Sequence, residues 1–137
     1  MDTTVEQTMP RVGKARWAGW AMSGIVILFC AMDAGGKLAV PELMIANSPP
    51  LGLPETAAFM RLLGAILAIS TLLYAWKRTS FLGAILLTAY LGGAVATHLR
   101  VGSPLATHTL FAVYLGLLAW GGLWLRDARL RALLPFA

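Results

Sequence analysis

Seven ionisable side chains stand out because they fall inside or beside long apolar runs: Asp33, Lys37, Glu55, Arg61, His98, Arg100 and His108. Asp33 and Lys37 are four residues apart, the spacing that stacks an acid and a base on one helix face. Such a pair either neutralises itself so that the helix can enter a bilayer, or forms a polar floor that handles protons. Arg61 has the chemistry to bind an anion or a carbonyl oxygen, or to snorkel to a membrane surface. His98 and His108 flank a turn marked by Arg100, Gly102 and Pro104, so antiparallel helices joined there bring the two rings toward each other. Facing imidazoles suit hydrogen bonding to a quinone carbonyl, proton relay or haem ligation. No carboxylate or third ligand stands at a recognisable metal-binding spacing, so haem ranks below quinone and no metal site is expected. The ligand-binding candidates are therefore Lys37, Arg61, His98, Arg100 and His108, with Asp33 and His98 as the candidates for acid–base work.

The elements that must position these groups follow from composition. Apolar residues make up 58% of the 137-residue chain and charged residues 12%, about half the charged share of a soluble domain. A soluble chain this short could not hide that much apolar surface. The excess of positive charge, +5 overall, sits in short groups between apolar runs and not in a stripe, which argues for membrane ends and against nucleic acid. The single cysteine, Cys30, lies in an apolar run, excluding an internal disulfide and reading as a small buried hydrophobe. No phosphate loop, nucleophile elbow, HExxH motif or dinucleotide-binding glycine pattern occurs.

Four membrane-spanning helices account for the pattern, over residues 17–40, 55–76, 79–99 and 105–125. The uncharged stretch from Trp17 to Met32 covers only about 24 Å against a hydrocarbon core of about 30 Å. The first span must therefore run on through Asp33 and Lys37. The second has the same difficulty, which draws in Arg61. Residues 1–13 read as a mobile cytoplasmic tail, 41–54 as a loop rich in proline, and 127–137 as a short basic tail with interfacial helical character from Leu130, Leu133 and Leu134. The first apolar run lacks a clear small-residue cleavage site and is expected to be retained as a helix.

Orientation follows from the distribution of cations. Arg11, Lys14, Arg16, Lys77, Arg78, Arg126, Arg129 and Arg131 gather on one side, and Lys37, Arg61 and Arg100 on the other. The positive-inside rule then places both termini in the cytoplasm. Trp17, Trp20, Trp76 and Trp124 fall near the same interface as anchors. The seven ionisable groups converge near the opposite, outer leaflet. Small residues four apart, at Gly64 and Ala68, Ala89 and Gly93, and Ala112 and Gly116, allow close helix packing.

Three segments carry a family resemblance: Asp33-Ala34-Gly35-Gly36-Lys37-Leu38, Met60-Arg61-Leu62-Leu63-Gly64-Ala65, and Tyr90 to Gly102 with its Gly-Ala-Val-Ala-Thr-His-Leu-Arg core. Together they resemble the DoxX-like membrane proteins, over roughly Trp20 to Leu125. The resemblance implies four helices with polar positions grouped near one membrane face, and carries over to Lys37, Arg61, His98 and Arg100. The family's founding member is associated with a quinone-linked oxidase, and relatives include receptor-assembly factors. Where the family often has Gly-Ala-x-Glu in the second helix, this chain has Gly64-Ala65-Ile66-Leu67, and any proton transfer that relied on that acid is lost.

The expectation is an all-α, four-helix transmembrane bundle, multi-pass in the bacterial inner membrane. Its leading role is an accessory protein of a membrane redox system that binds a quinone or another lipophilic molecule near the outer leaflet. Two alternatives stand: a membrane-embedded enzyme of isomerase or cyclase type acting on a small apolar substrate, and a non-catalytic assembly or structural subunit. The expected partners are the bilayer and either a redox complex or further copies of the chain.

Overall fold

The computed structural model describes residues 3–48 and 50–135. Its helices are α1 (Thr3–Ala39), α2 (Pro41–Asn47), α3 (Ala57–Ala75), α4 (Ser80–Arg100), α5 (Leu110–Arg126, preceded by a π-helical turn over Leu105–Thr109) and α6 (Ala128–Leu133). Four segments are long and apolar enough to cross a membrane: Gly13–Ala39, Ala57–Ala75, Ser80–Arg100 and Leu105–Arg126. α1 packs on α3 and α5, and α4 packs on the same two, so the spans close into a four-membered ring with α1 and α4 on the diagonal.

The inward residues recur at helical spacing: Ser23, Val26, Cys30 and Ala34 on α1; Gly64, Leu67, Thr71 and Tyr74 on α3; Ala84, Leu87 and Leu91 on α4; Ala112, Leu115, Ala119 and Leu123 on α5. Many are small. The bulky aliphatics, among them Leu28, Met32, Ile69, Leu72, Leu82 and Leu117, face outward. A soluble bundle does the reverse. Hydrocarbon supplies no hydrophobic drive for one helix to seek another, so association rests on close packing and interhelical hydrogen bonds. Gly19 and Gly122 let α1 and α5 approach closely, because a Cβ on Gly122 would lie 2.9 Å from the Gly19 carbonyl oxygen and 2.7 Å from Ser23 Oγ.

Four hydroxyls within the spans satisfy themselves locally. Ser70, Thr71, Thr88 and Thr97 each donate to the carbonyl four residues earlier, which removes the cost of an unpaired hydroxyl in hydrocarbon. Trp120 Nε1 donates to Thr88 Oγ1 at 2.7 Å, linking α5 to α4.

In two places the structure adds helix to the sequence reading. The stretch expected to be a mobile tail is helical from Thr3, and α1 continues from it without a break; adding residues to a formed helix is favourable even where the chain has left the bilayer. The expected loop over 41–54 contains α2, with Pro41 at its first turn, where no N–H is needed, and Glu42 beside the helix N-terminus. Pro49 of that loop, and residues 1–2 and 136–137 of the two tails, lie outside the described residues.

Candidate functional site

The end of the bundle expected to face outward assembles most of the predicted groups, though not into one cluster. Lys37 donates to Asp33 as the i,i+4 ion pair, on the part of α1 that meets Gly64 of α3. Arg61 Nε reaches the Leu38 carbonyl at 3.4 Å, so α3 is held to the end of α1 by a guanidinium on a helix C-terminal oxygen. Arg100 turns away from the bundle axis and donates to Leu51 O at 2.7 Å. Gly52 accommodates that contact with a φ of +70° and no Cβ, which would otherwise stand 3.0 Å from the Arg100 guanidinium. Glu55 is exposed and takes part in neither of the two ion pairs among the described residues. Thr56 next to it caps α3 by accepting from Phe59 N at 3.2 Å.

The two histidines meet. Their ring centroids are 5.9 Å apart at an interplanar angle of 64°, edge to face. His98 is half-buried at the end of α4 and uses Nδ1 on Ser103 Oγ at 3.0 Å; exposed His108 uses Nδ1 on Thr107 Oγ1 at 2.8 Å. Neither ring has a hydrogen bond at Nε2 among the described residues. His108 lies in the π-helical turn, where the Pro104 carbonyl accepts from both His108 N at 3.1 Å and Thr109 N at 3.3 Å. One extra residue in a turn rotates everything before it by about 100° relative to a continuous α-helix, and such turns recur at functional sites. Behind the histidines, Thr109 Oγ1 is a fully buried hydroxyl with no hydrogen-bond partner among the described residues. Among those residues no three His, Cys, Asp or Glu side chains gather to hold a metal ion.

At the opposite end is a buried network absent from the sequence reading. Arg126, nine-tenths buried, donates from Nε to Ser23 Oγ at 2.8 Å and from Nη2 to Tyr74 O at 3.1 Å. Tyr74 spends its one hydroxyl proton on Ala119 O at 2.6 Å, so the 2.9 Å contact between Ser23 and Tyr74 must use the serine proton. The Arg126 guanidinium also lies 4.2 Å from the centroid of the Trp20 ring. This network ties α1, α3 and α5 together. Just beyond it, Asp127 accepts from Arg129 N and from its guanidinium. That hydrogen bonding holds the Asp127 carboxyl below its ordinary pKa and raises that of Arg129.

A model of the DoxX-like family matches residues 21–122. The chain belongs to the DoxX-like family. The matched stretch of this DoxX-like chain includes Asp33, Lys37, Arg61, His98, Arg100 and His108, and stops short of Arg126 and α6. No curated protein and no solved structure gives a significant match.

Proposed function

We propose that this DoxX-like protein is an accessory subunit of a membrane redox system, with both ends in the cytoplasm of a bacterium, that holds a quinone or another carbonyl-bearing lipophilic molecule against the His98–His108 pair. The observation that carries this reading is the conjunction at one turn: two imidazoles in edge contact, each with Nε2 unspent, and a buried Thr109 hydroxyl without an acceptor. Imidazole N–H groups and a hydroxyl are donors that a carbonyl oxygen accepts from. A quinone supplies carbonyl acceptors and a proton-coupled two-electron couple. The chain's part is to orient a carbonyl by hydrogen bonds from His98 and His108 and to hold a proton at Nε2. Lys37 is occupied by Asp33 and Arg61 by the end of α1, so in this reading they set the floor and wall and do not touch the ring.

The test is extraction and mass spectrometry of lipids from protein purified in mild detergent. Wild type is expected to carry quinone near one per chain, and His98→Ala with His108→Ala is expected to strip it while the protein remains helical. Unchanged quinone in the double variant, or none in wild type, overturns the reading; a Soret band would replace quinone with haem.

A specific observation also favours an assembly role. Ala89, Gly92, Gly93 and Ala96 form an exposed ridge on α4, and a Cβ on either glycine would meet nothing within 4 Å. Such a ridge admits a partner helix at close range.

A further inference from the structure

A cleft of about 610 Å³ opens at the Arg126 end, where α1, the α3–α4 turn and α6 come together. Its lining includes Arg16, Lys77, Arg126, Arg129 and Arg131 against one carboxylate, Asp127. Three of these cations have structural work. Arg126 is held in the buried network, Arg129 binds Asp127 and the Lys77 carbonyl, and Arg131 donates to the carbonyls of Trp124 and Leu125 at the end of α5. The charged ends of Arg16 and Lys77 make no ion pair among the described residues, and both residues are exposed. The cleft therefore keeps four positive charges unbalanced, two of them on side chains free to move onto a ligand.

The cleft has an apolar neighbour. An apolar groove of about 300 Å³, lined by Leu117, Trp120, Leu130 and Leu134, adjoins it and shares Trp124 as a wall. Trp124 Nε1 donates to Leu134 O at 2.8 Å, so the shared wall also fastens the segment after α6. A basic cleft beside an oily groove, with Trp124 lining both, suits one kind of molecule: an anionic head with an acyl chain attached.

We propose that this cleft and groove form a binding site for an anionic phospholipid, its phosphate among Arg16, Lys77 and Arg129 and one acyl chain in the groove between Leu117 of α5 and Leu134 after α6. Excess cationic charge selects against zwitterionic lipids, which bring their own ammonium into the cluster. It selects for headgroups with net negative charge, each nearby Lys or Arg being worth about 1 kcal/mol of attraction. Occupancy would pin α6 to the bundle through Arg129 and join the Arg126 network to the bilayer surface. The site is separate from the His98–His108 turn and holds whether or not a quinone binds there.

Native mass spectrometry of the full chain in detergent tests this, with phosphatidylglycerol, phosphatidylcholine and sn-glycerol 3-phosphate as probes. Wild type is expected to retain one phosphatidylglycerol at least about tenfold more tightly than phosphatidylcholine. Arg16→Gln with Lys77→Gln should bring the two lipids close to parity. Lys14→Gln with Arg78→Gln removes the same charge from exposed positions outside the cleft lining, and should leave the preference within about twofold of wild type. Equal binding of the two lipids by wild type, or equal loss in the two double variants, overturns the proposal. So does binding of glycerol phosphate as tight as that of the lipid, which would make the cleft a site for a free phosphate and the groove irrelevant.

Discussion

Under the proposed quinone reading, Thr109 is the residue at which stability and ligand binding pull in different directions. A buried hydroxyl without a partner costs about 1–3 kcal/mol relative to a paired one, and an apolar group of the same shape avoids that cost. Thr109→Val is therefore expected to raise the resistance of the delipidated protein to chemical unfolding, followed by circular dichroism, while lowering the quinone retained on purification. Thr109→Ser should do neither. A loss of stability in the valine variant would mean that the hydroxyl has a protein acceptor and no ligand role. Arg126 presents the opposite case, since its guanidinium is engaged by Ser23, Tyr74 and the Trp20 ring. Arg126→Ala leaves the serine and the tyrosine carbonyl short of a donor and should cost about 2–3 kcal/mol. Arg126→Lys keeps the charge but loses the planar fork, and should recover only part of that loss in the same measurement.

Asp127 adds a pH dependence. Its carboxyl is depressed in the folded state by the hydrogen bonds from Arg129, with a folded pKa below its ordinary value of 3.8. Its contribution is thus complete at neutral pH and fades as pH falls from about 4 through the depressed folded value. Hydrogen exchange of the α6 amides, corrected for intrinsic rates, is expected to lose protection over that range in wild type. Asp127→Asn should be less protected at neutral pH and flat below it.

At the scale of the elements, two glycines on different spans make contrasting forecasts. Gly122→Ala drives a methyl into the Gly19 carbonyl and Ser23, and the resulting separation of α1 from α5 should cost about 1–3 kcal/mol. Gly93→Ala enters open space and should be neutral or stabilising by up to about 1 kcal/mol, the helix-propensity gain. Oligomer size measured by light scattering adds a second readout: if the α4 ridge seats another helix, Gly93→Ala alone weakens that association.

The four long apolar helices were readable from the sequence because uncharged length, hydrocarbon thickness and the turn residues at Lys77-Arg78 and Gly102 are independent constraints that agree. The approach of His98 to His108 was readable for the same reason, being a consequence of one short turn. The π-helical turn was not, since Leu-Ala-Thr-His-Thr carries no mark that separates a wide turn from an ordinary one. Nor was the Arg126 network. An arginine at the end of an apolar run reads as a charge leaving the membrane, and only the packing of Gly19 on Gly122 shows that it folds back among three helices. The expectation of one shared outer pocket gathered residues by depth alone. Depth does not distinguish the axis-facing side of a helix from the side on which Arg100 reaches Leu51.

For the whole molecule, an even number of spans puts residues near Gly13 and Arg126 at the same end, as their common lining of the basic cleft requires. The eight cations at that end lead to the forecast that green fluorescent protein fused after Ala137 fluoresces, and that alkaline phosphatase fused there is inactive. The reverse pair of results would invert the protein and move the proposed lipid site to the other leaflet.

The chain's five tryptophans, at positions 17, 20, 76, 120 and 124, all lie in the half of the bundle that holds Arg126. Intrinsic emission therefore reports on one leaflet only. Brominated lipids confined to that leaflet should dim nearly all of the signal, and the same lipids in the opposite leaflet very little. A tryptophan introduced at exposed Leu105 would give the far side its own lamp.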